Sequence, residues 1–395
     1  MPDIVPDPVP PTPPVPPVDG KNFLLKFVAN NWQKFVSFLA LVAVTTVVNF
    51  FLARQGKDPL PQPPVPVPVF EPQFGWIPPT DQERQETLLM LETPYFADTP
   101  AGKEELVGDD DTSVFLWNYT KKVRGKHIPT RNQGRVGSCV SFGWGTGIEY
   151  ALAVQTVRKR GPAVEQIDVA QEVIYGGSRT EGRGARTGGL GDGSTGAWMV
   201  KYVSVGGIIA RGKYGEIDLT SYSETRCKEY GFSGVPSQLK PIAKKNLVKG
   251  FALVRSSDEA RKAIQQGYPI PVCSNVGFGY SRDAEGFMRP GLQPWPHCMC
   301  LIGYNGGTRP GFYCLNSWGE NWASGAYGVG EPPPGGFWID ASIVDRMMRQ
   351  QDSYAISQVT GFPKQKLTAD DWTRLAPRPQ LKLERMFANG FDLAP

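Results

Sequence analysis

Cys139 lies in the run Asn132-Gln133-Gly134-Arg135-Val136-Gly137-Ser138-Cys139, with Ser141-Phe142 following; His297 stands far downstream, and after it comes Asn316-Ser317-Trp318-Gly319. These residue types suit nucleophilic attack by a thiol. A free thiol is only a few per cent ionised at neutral pH, so such a nucleophile needs an imidazole beside it and a helix N-terminus beneath it to hold the thiolate. The imidazole needs an orienting partner in turn, and an amide side chain can supply one. Cys139, His297 and Asn316 are these three types in that chain order. The other histidine, His127, precedes the cysteine in a segment with no such signature and reads as a surface residue.

The same segments carry a family resemblance. Gln133 stands six residues before Cys139, and Gln133 to Phe142 resembles the papain-family stretch in which a glutamine precedes the nucleophilic cysteine. Pro296-His297-Cys298-Met299-Cys300-Leu301-Ile302-Gly303-Tyr304 is similar to that family's histidine strand, and Asn316-Ser317-Trp318-Gly319-Glu320-Asn321-Trp322 to its asparagine segment. The gap from Cys139 to His297, 158 residues, exceeds the roughly 130–150 of the family signature, as an inserted loop would explain. The resemblance covers roughly residues 113–352. It implies that Cys139 is the nucleophile, that His297 moves the proton, that Asn316 orients the ring and that Trp318 covers that hydrogen bond. It also implies that Gln133 and the Cys139 backbone N–H face the oxyanion, where each fixed donor is worth roughly 2.7–4 kcal/mol. The rim of the substrate groove falls on Gly191-Asp192-Gly193, so Asp192 and Gly193 are the expected substrate-binding residues, pairing with an extended peptide as an added strand. Three departures stand out. Val136 occupies the position of a family disulfide cysteine, Val140 that of a tryptophan, and Pro296 precedes the histidine.

These side chains need elements to position them. Cys139 to about Lys159 is expected as a long buried helix with Phe142, Ile148 and Leu152 inward, although Gly143, Gly145 and Gly147 each cost up to about 1 kcal/mol relative to alanine. A second helix is expected from about Ser194 to Val205, with Asp192 or Ser194 as N-cap and Gly206-Gly207 as its stop. Gly176 to Gly193 reads as a surface loop. Ser256 and Glu259 form a capping-box spacing that opens a helix ending at Gly267. Pro269–Val276, Cys298–Tyr304 and Phe312–Leu315 read as buried strands from their apolar runs. Helices come first and strands after, so the fold class is α+β. The resemblance implies two lobes, one helical and carrying the cysteine, one of antiparallel strands carrying the histidine and asparagine, with a groove between them.

The flanks differ in composition. Residues 1–34 begin with a tract of proline and valine, and Asp58–Val69 repeats it; such tracts favour extended, stiff spacers rather than a core. Between them, Phe35–Ala53 runs 19 residues without a charge, long enough for one transmembrane helix. Lys21, Lys26 and Lys34 before it against Arg54 and Lys57 after it place the N-terminus in the cytoplasm and the catalytic region on the non-cytoplasmic side. Residues 54–112 read as a proline-rich linker, either a spacer with one docked helix at Asp81–Leu91 entered through Thr80 or a short prosegment. Residues 113–352 are the globular domain and 353–395 a tail.

The 42 Lys and Arg against 38 Asp and Glu leave a net charge of +4, and no basic cluster interleaves with aromatics, so nucleic acid is not an expected partner. His297, Cys298, Cys300 and Cys314 are metal-ligand types, but alternation along a strand sends Cys298 and Cys300 to the face opposite His297. No metal or cofactor is therefore expected. The function expected is a membrane-anchored cysteine endopeptidase acting on peptide or protein substrates. Two alternatives stand beside it: a non-catalytic binding module of the same fold on a membrane stalk, and an amide hydrolase or transferase acting on a cell-wall polymer.

Overall fold

The computed structural model describes residues 74–104, 112–158, 168–184, 191–357 and 362–363. The chain divides into two units, residues 1–70 and 71–395, and all described residues belong to the second. The expected membrane span at 35–53, both proline tracts and most of the tail lie outside the described residues. Among those described, no helix is long and apolar enough to cross a membrane.

In chain order the helices are α1 Asp81–Leu89, α2 Trp117–Arg124, α3 Cys139–Arg158, α4 Gln171–Gly177, α5 Gly196–Val205, α6 Glu224–Ser233, α7 Lys240–Ala243, α8 Ser257–Gln265 and α9 Ala341–Met348. The strands are β1 Val114–Phe115, β2 Lys213–Tyr214, β3 Ile217–Asp218, β4 Gly250–Leu253, β5 Ile270–Ser274, β6 His297–Asn305, β7 Gly311–Leu315, β8 Gly336–Asp340 and β9 Tyr354–Ser357. β6 is the hub of an antiparallel sheet, bordered by β5, β7 and the short β1, with β8 beyond β7. β4 pairs with β9 in a second, two-stranded sheet.

Two apolar clusters form the core, one under the sheet around Trp117, Tyr313 and Trp338, the other among the helices around Trp144, Ile174 and Met199. α3 lies between them and is buried continuously from Cys139 to Gln155. Its glycines, unfavourable for an isolated helix, permit this position. A Cβ at Gly143 would stand 2.8 Å from Cys298 Sγ and 2.8 Å from the Met299 carbonyl oxygen, so α3 can lie directly on β6 only without a side chain there. Close packing outweighs a propensity cost of about 1 kcal/mol per glycine.

Several sequence expectations need correction. The loop expected over Gly176–Gly193 is helical at its start, with α4 running into a π-helix over Ser178–Gly182. Its glycines serve contact, since a Cβ at Gly177 would meet Tyr202 Cζ at 2.0 Å and one at Gly182 would meet the Trp198 carbonyl oxygen at 2.2 Å. The cap of α5 is Thr195, which accepts the Trp198 N–H, rather than Asp192 or Ser194. The folded unit also extends beyond 113–352. On the N-terminal side, α1 carries a complete capping box with Thr80 and Glu83 and docks on α5, where Trp198 Nε1–H donates to Glu83 at 2.7 Å and Lys201 pairs with Glu86 at 2.6 Å. On the C-terminal side, β9 lies past residue 352 and is fully buried.

Candidate active site

Cys139 is the first residue of α3, where the positive end of the helix dipole favours an anion on the sulfur. His297 is the first residue of β6. Its Nε2–H donates to Asn316 Oδ1 at 2.8 Å, and the Ser317 backbone N–H donates to the same atom at 2.7 Å. Two donors meeting one atom identify it as the amide oxygen, so the proton sits on Nε2 and Nδ1 keeps its lone pair. Nδ1 is buried and has no hydrogen-bond partner among the described residues. It is the ring nitrogen left to exchange a proton. Trp318 lies 4.6 Å from the imidazole, tilted by 31°, and is itself buried.

Gln133 is fully buried. Its Nε2–H donates to the Val136 carbonyl at 2.9 Å, and its Oε1 accepts from Ser317 Oγ at 2.7 Å. Asn316 and Ser317 are chain neighbours, so one dipeptide holds both the imidazole and the glutamine. The turn carrying Gln133 is stitched to the same segment by Gln133 N–H to the Ser317 carbonyl, 2.9 Å, and Gly319 N–H to the Arg131 carbonyl, 2.9 Å.

The expected rim residues do internal work as well. Asp192 Oδ2 accepts the Gly137 N–H at 2.5 Å and its Oδ1 accepts the Tyr175 hydroxyl, while Arg179 donates to the carbonyls of Gly191 and Gly193. All six cysteines are free and buried. The Gly137–Asp192 bond ties the loop carrying Val136, where the resemblance places a disulfide cysteine, to the rim loop. Asp192→Ala removes a charged acceptor from two donors, each bond of this kind being worth about 1.5–3 kcal/mol. Two such bonds are lost, so the expected result is a loss of about 3 kcal/mol or more in urea unfolding, and a loss below about 0.5 kcal/mol would show the loops to be held by Arg179 instead.

Sequence reading missed a segment that lies across this site. Phe74 packs edge-on against His297 at 6.0 Å and against Trp318 at 5.9 Å. The Gly75 and Trp76 N–H groups both donate to the Pro296 carbonyl, at 3.1 and 3.0 Å. Gly75 sits so close to Gly137 that a Cβ would fall 2.0 Å from its carbonyl oxygen. Ser194 N–H donates to the Gly75 carbonyl at 2.8 Å and Ile77 N–H to the Ser194 carbonyl at 2.9 Å, so the segment runs parallel to the rim strand. Trp76 is buried, and its indole Nε1–H donates to Asp352 Oδ2 at 2.7 Å. Only the proline–valine linker before it and the cap Thr80 after it gave any signal in the sequence.

Under this strap, Cys139 and His297 are cut off from solvent, at 0% and 1% exposure. Burial, reinforced by the neighbouring Cys273, pushes the thiol well above its usual range, against backbone groups of Cys298, Val140 and Gly75 that favour the anion. Burial pushes His297 down to about 4, and only the bond to Asn316 opposes it. Burial thus disfavours the charged form of both groups, because water no longer stabilises either charge.

A sequence model of the family described as "Papain family cysteine protease" matches residues 117–329, a span that contains Gln133, Cys139, His297 and Asn316. This chain belongs to the papain family of cysteine proteases. Among curated relatives, it is 27% identical over 216 residues to Cysteine proteinase 1 of Entamoeba histolytica, a match covering 52% of this chain and 60% of that protein. Cysteine proteinase 2 of the same organism is 26% identical over 215 residues, with 51% and 59% covered. The chain thus spans about three fifths of the length of the curated relatives it matches. Among solved structures, xylellain, a cysteine protease from Xylella fastidiosa, aligns at a TM-score of 0.48 and 17% identity, over 74% of this chain and 99% of that one. Digestive procathepsin L 3 of the Tenebrio molitor larval midgut aligns at 0.40 and 14%, over 81% and 90%.

Proposed function

We propose that this chain is a cysteine endopeptidase held latent by its own residues 74–77. The observation that carries the catalytic reading is the His297 Nε2–H bond to Asn316 Oδ1, which leaves Nδ1 bare in a domain whose helix α3 starts on a cysteine. In this reading Nδ1 takes the Cys139 thiol proton, and the sulfur attacks a peptide carbonyl. The tetrahedral oxyanion is met by the Cys139 N–H and the Gln133 amide, the proton returns to the leaving amine, and water hydrolyses the thioester. Latency is supported by the strap over the sulfur and ring, and by the burial beneath it, which disfavours charge on either group. Residues 35–53 are proposed as a membrane anchor, with the peptidase domain on the non-cytoplasmic side; their uncharged length supports this.

Cys139→Ala tests the chemistry. With the strap displaced, the unsubstituted chain is expected to cleave a mixed peptide library and to take up one equivalent of an electrophilic thiol probe, and the variant to do neither. Probe uptake that persists in Cys139→Ala would place the reactive thiol elsewhere and end this reading.

A further inference from the structure

One tyrosine hydroxyl lies behind the turn that carries both oxyanion donors of the proposed mechanism. Tyr222 stands between β3 and α6, and its hydroxyl is 2.9 Å from the Gln133 carbonyl oxygen. A carbonyl can only accept, so the phenolic proton goes to it. The same hydroxyl oxygen lies 3.5 Å from Ser138 Oγ, which leaves Ser138 as the donor in that contact. Gln133 carries the side-chain donor of the mechanism, and Ser138 directly precedes the Cys139 N–H that is the other. The Gln133 backbone is thus held on both sides, its N–H by the Ser317 carbonyl at 2.9 Å and its carbonyl by Tyr222.

Tyr222 is itself well anchored. Its ring packs edge-on against Phe142 of α3 at 5.0 Å. The next backbone N–H, of Ser223, donates to Glu172 of α4 at 3.0 Å, and that carboxylate is fully buried and pairs with Arg211 at 3.1 Å and Arg226 at 3.4 Å. Glu224 lies along the same turn, since a Cβ at Gly134, whose φ is +62°, would fall 1.9 Å from Glu224 Oε1. Val136, at the position of a family disulfide cysteine, is buried with Tyr175 and Cys227, and Tyr222 packs on that cluster. All six cysteines are free, so the turn has no covalent tie.

We propose that Tyr222 is a positioning residue for the oxyanion site, its hydroxyl fixing the Gln133 peptide and so aiming the Gln133 amide, a role that rests on the peptidase reading. A donor stabilises the developing charge only from about 2.7–3.1 Å of the oxygen that bears it. A small displacement of such a group costs rate out of proportion to the one bond that held it.

The test uses the full chain carrying Gly75→Val, to lift the strap, with and without Tyr222→Phe, which removes one oxygen and keeps the ring on Phe142. Three quantities are read: cleavage of a fluorogenic peptide, inhibition by a peptide aldehyde, and alkylation of Cys139 by iodoacetamide. The Cys139 thiol adds across the aldehyde C=O, giving a tetrahedral adduct whose oxygen occupies the oxyanion position, whereas alkylation displaces iodide and forms no such oxygen. Tyr222→Phe is expected to lower kcat about tenfold, part of the roughly 10²–10³-fold that outright loss of a donor costs, with KM within about twofold. Aldehyde affinity should fall by about the same factor, while the alkylation rate stays within about twofold and Tm falls by less than about 5 °C. In a Gln133→Ala background the same substitution should cost less than about threefold, because no amide is left to aim. An unchanged kcat, a loss in KM alone, a loss matched in alkylation, or a tenfold loss that persists with Gln133→Ala overturns the assignment and leaves the peptidase reading standing. Collapse of the fold in Tyr222→Phe also overturns it, by showing that the hydroxyl holds the domain rather than the turn. If the Gly75→Val chain with Tyr222 intact neither reacts at Cys139 nor cleaves, both readings fall.

Discussion

Gly75→Val should convert the latent chain into a reactive one, with Cys139 labelled by a small electrophile about 10–100-fold faster than in the unsubstituted protein. At position 75 even a methyl carbon would lie 2.0 Å from the Gly137 carbonyl oxygen and 2.3 Å from its carbon. Both are backbone atoms at the turn into α3, so no side chain can swing away and the strap itself must lift. What resists is the burial of Trp76, at 4% exposure, together with its bond to Asp352. Full burial of a large apolar side chain is worth about 1.5–3 kcal/mol, and about 1.4 kcal/mol corresponds to a factor of ten, hence the range. Water readmitted to the site also brings the thiol down and the imidazole up toward their ordinary values. A time course of probe incorporation by mass spectrometry measures the rate, with a thermal melt alongside to establish that the domain is intact. An unchanged rate in an intact domain would mean that the strap does not guard the sulfur.

The second large effect concerns stability. Gly177→Ala should destabilise the helical half by about 3 kcal/mol or more, seen as a fall of about 6–12 °C in Tm. The new carbon would stand 2.0, 2.1 and 2.4 Å from Cζ, Cε2 and Cε1 of Tyr202, whose side chain is 1% exposed. An aromatic ring can sometimes tilt away from such an intrusion. Here the Gly206 backbone also lies against the ring, close enough that a Cβ there would be 2.3 Å from Tyr202 Cε2. Trimming the ring with Tyr202→Ala should make the second substitution less than additive with the first. If Gly177→Ala melts within 2 °C of the unsubstituted chain, the ring is not confined as described.

Much of the site was legible in the sequence because its chemistry depends on residue type in a fixed chain order. Cys139 begins α3, His297 begins β6, and Asn316 follows β7 immediately, as the apolar runs and the family resemblance led one to expect. The capping signals at Thr80 and Ser256 were local and were read correctly for the same reason. What the sequence did not disclose is whatever depends on contact between distant segments. Gly176, Gly177 and Gly182 look like loop formers in one dimension, yet the structure places them against Tyr230, Tyr202 and Trp198. Asp192 has the composition of a turn residue, and nothing local reveals that its carboxylate reaches Gly137, 55 positions away. Trp76 follows a proline-rich spacer, and its partner Asp352 lies 276 positions further on.

The dipeptide Asn316-Ser317 carries one further implication. The imidazole hangs from the first of its side chains and the glutamine amide from the second, and Trp318, next in line, roofs the ring. The His297 ring and the Gln133 amide thus share a single turn, so any displacement of that turn would carry them in step and preserve their mutual spacing. The alignment of His297 and Gln133 with the sulfur then reduces to the placement of one short turn.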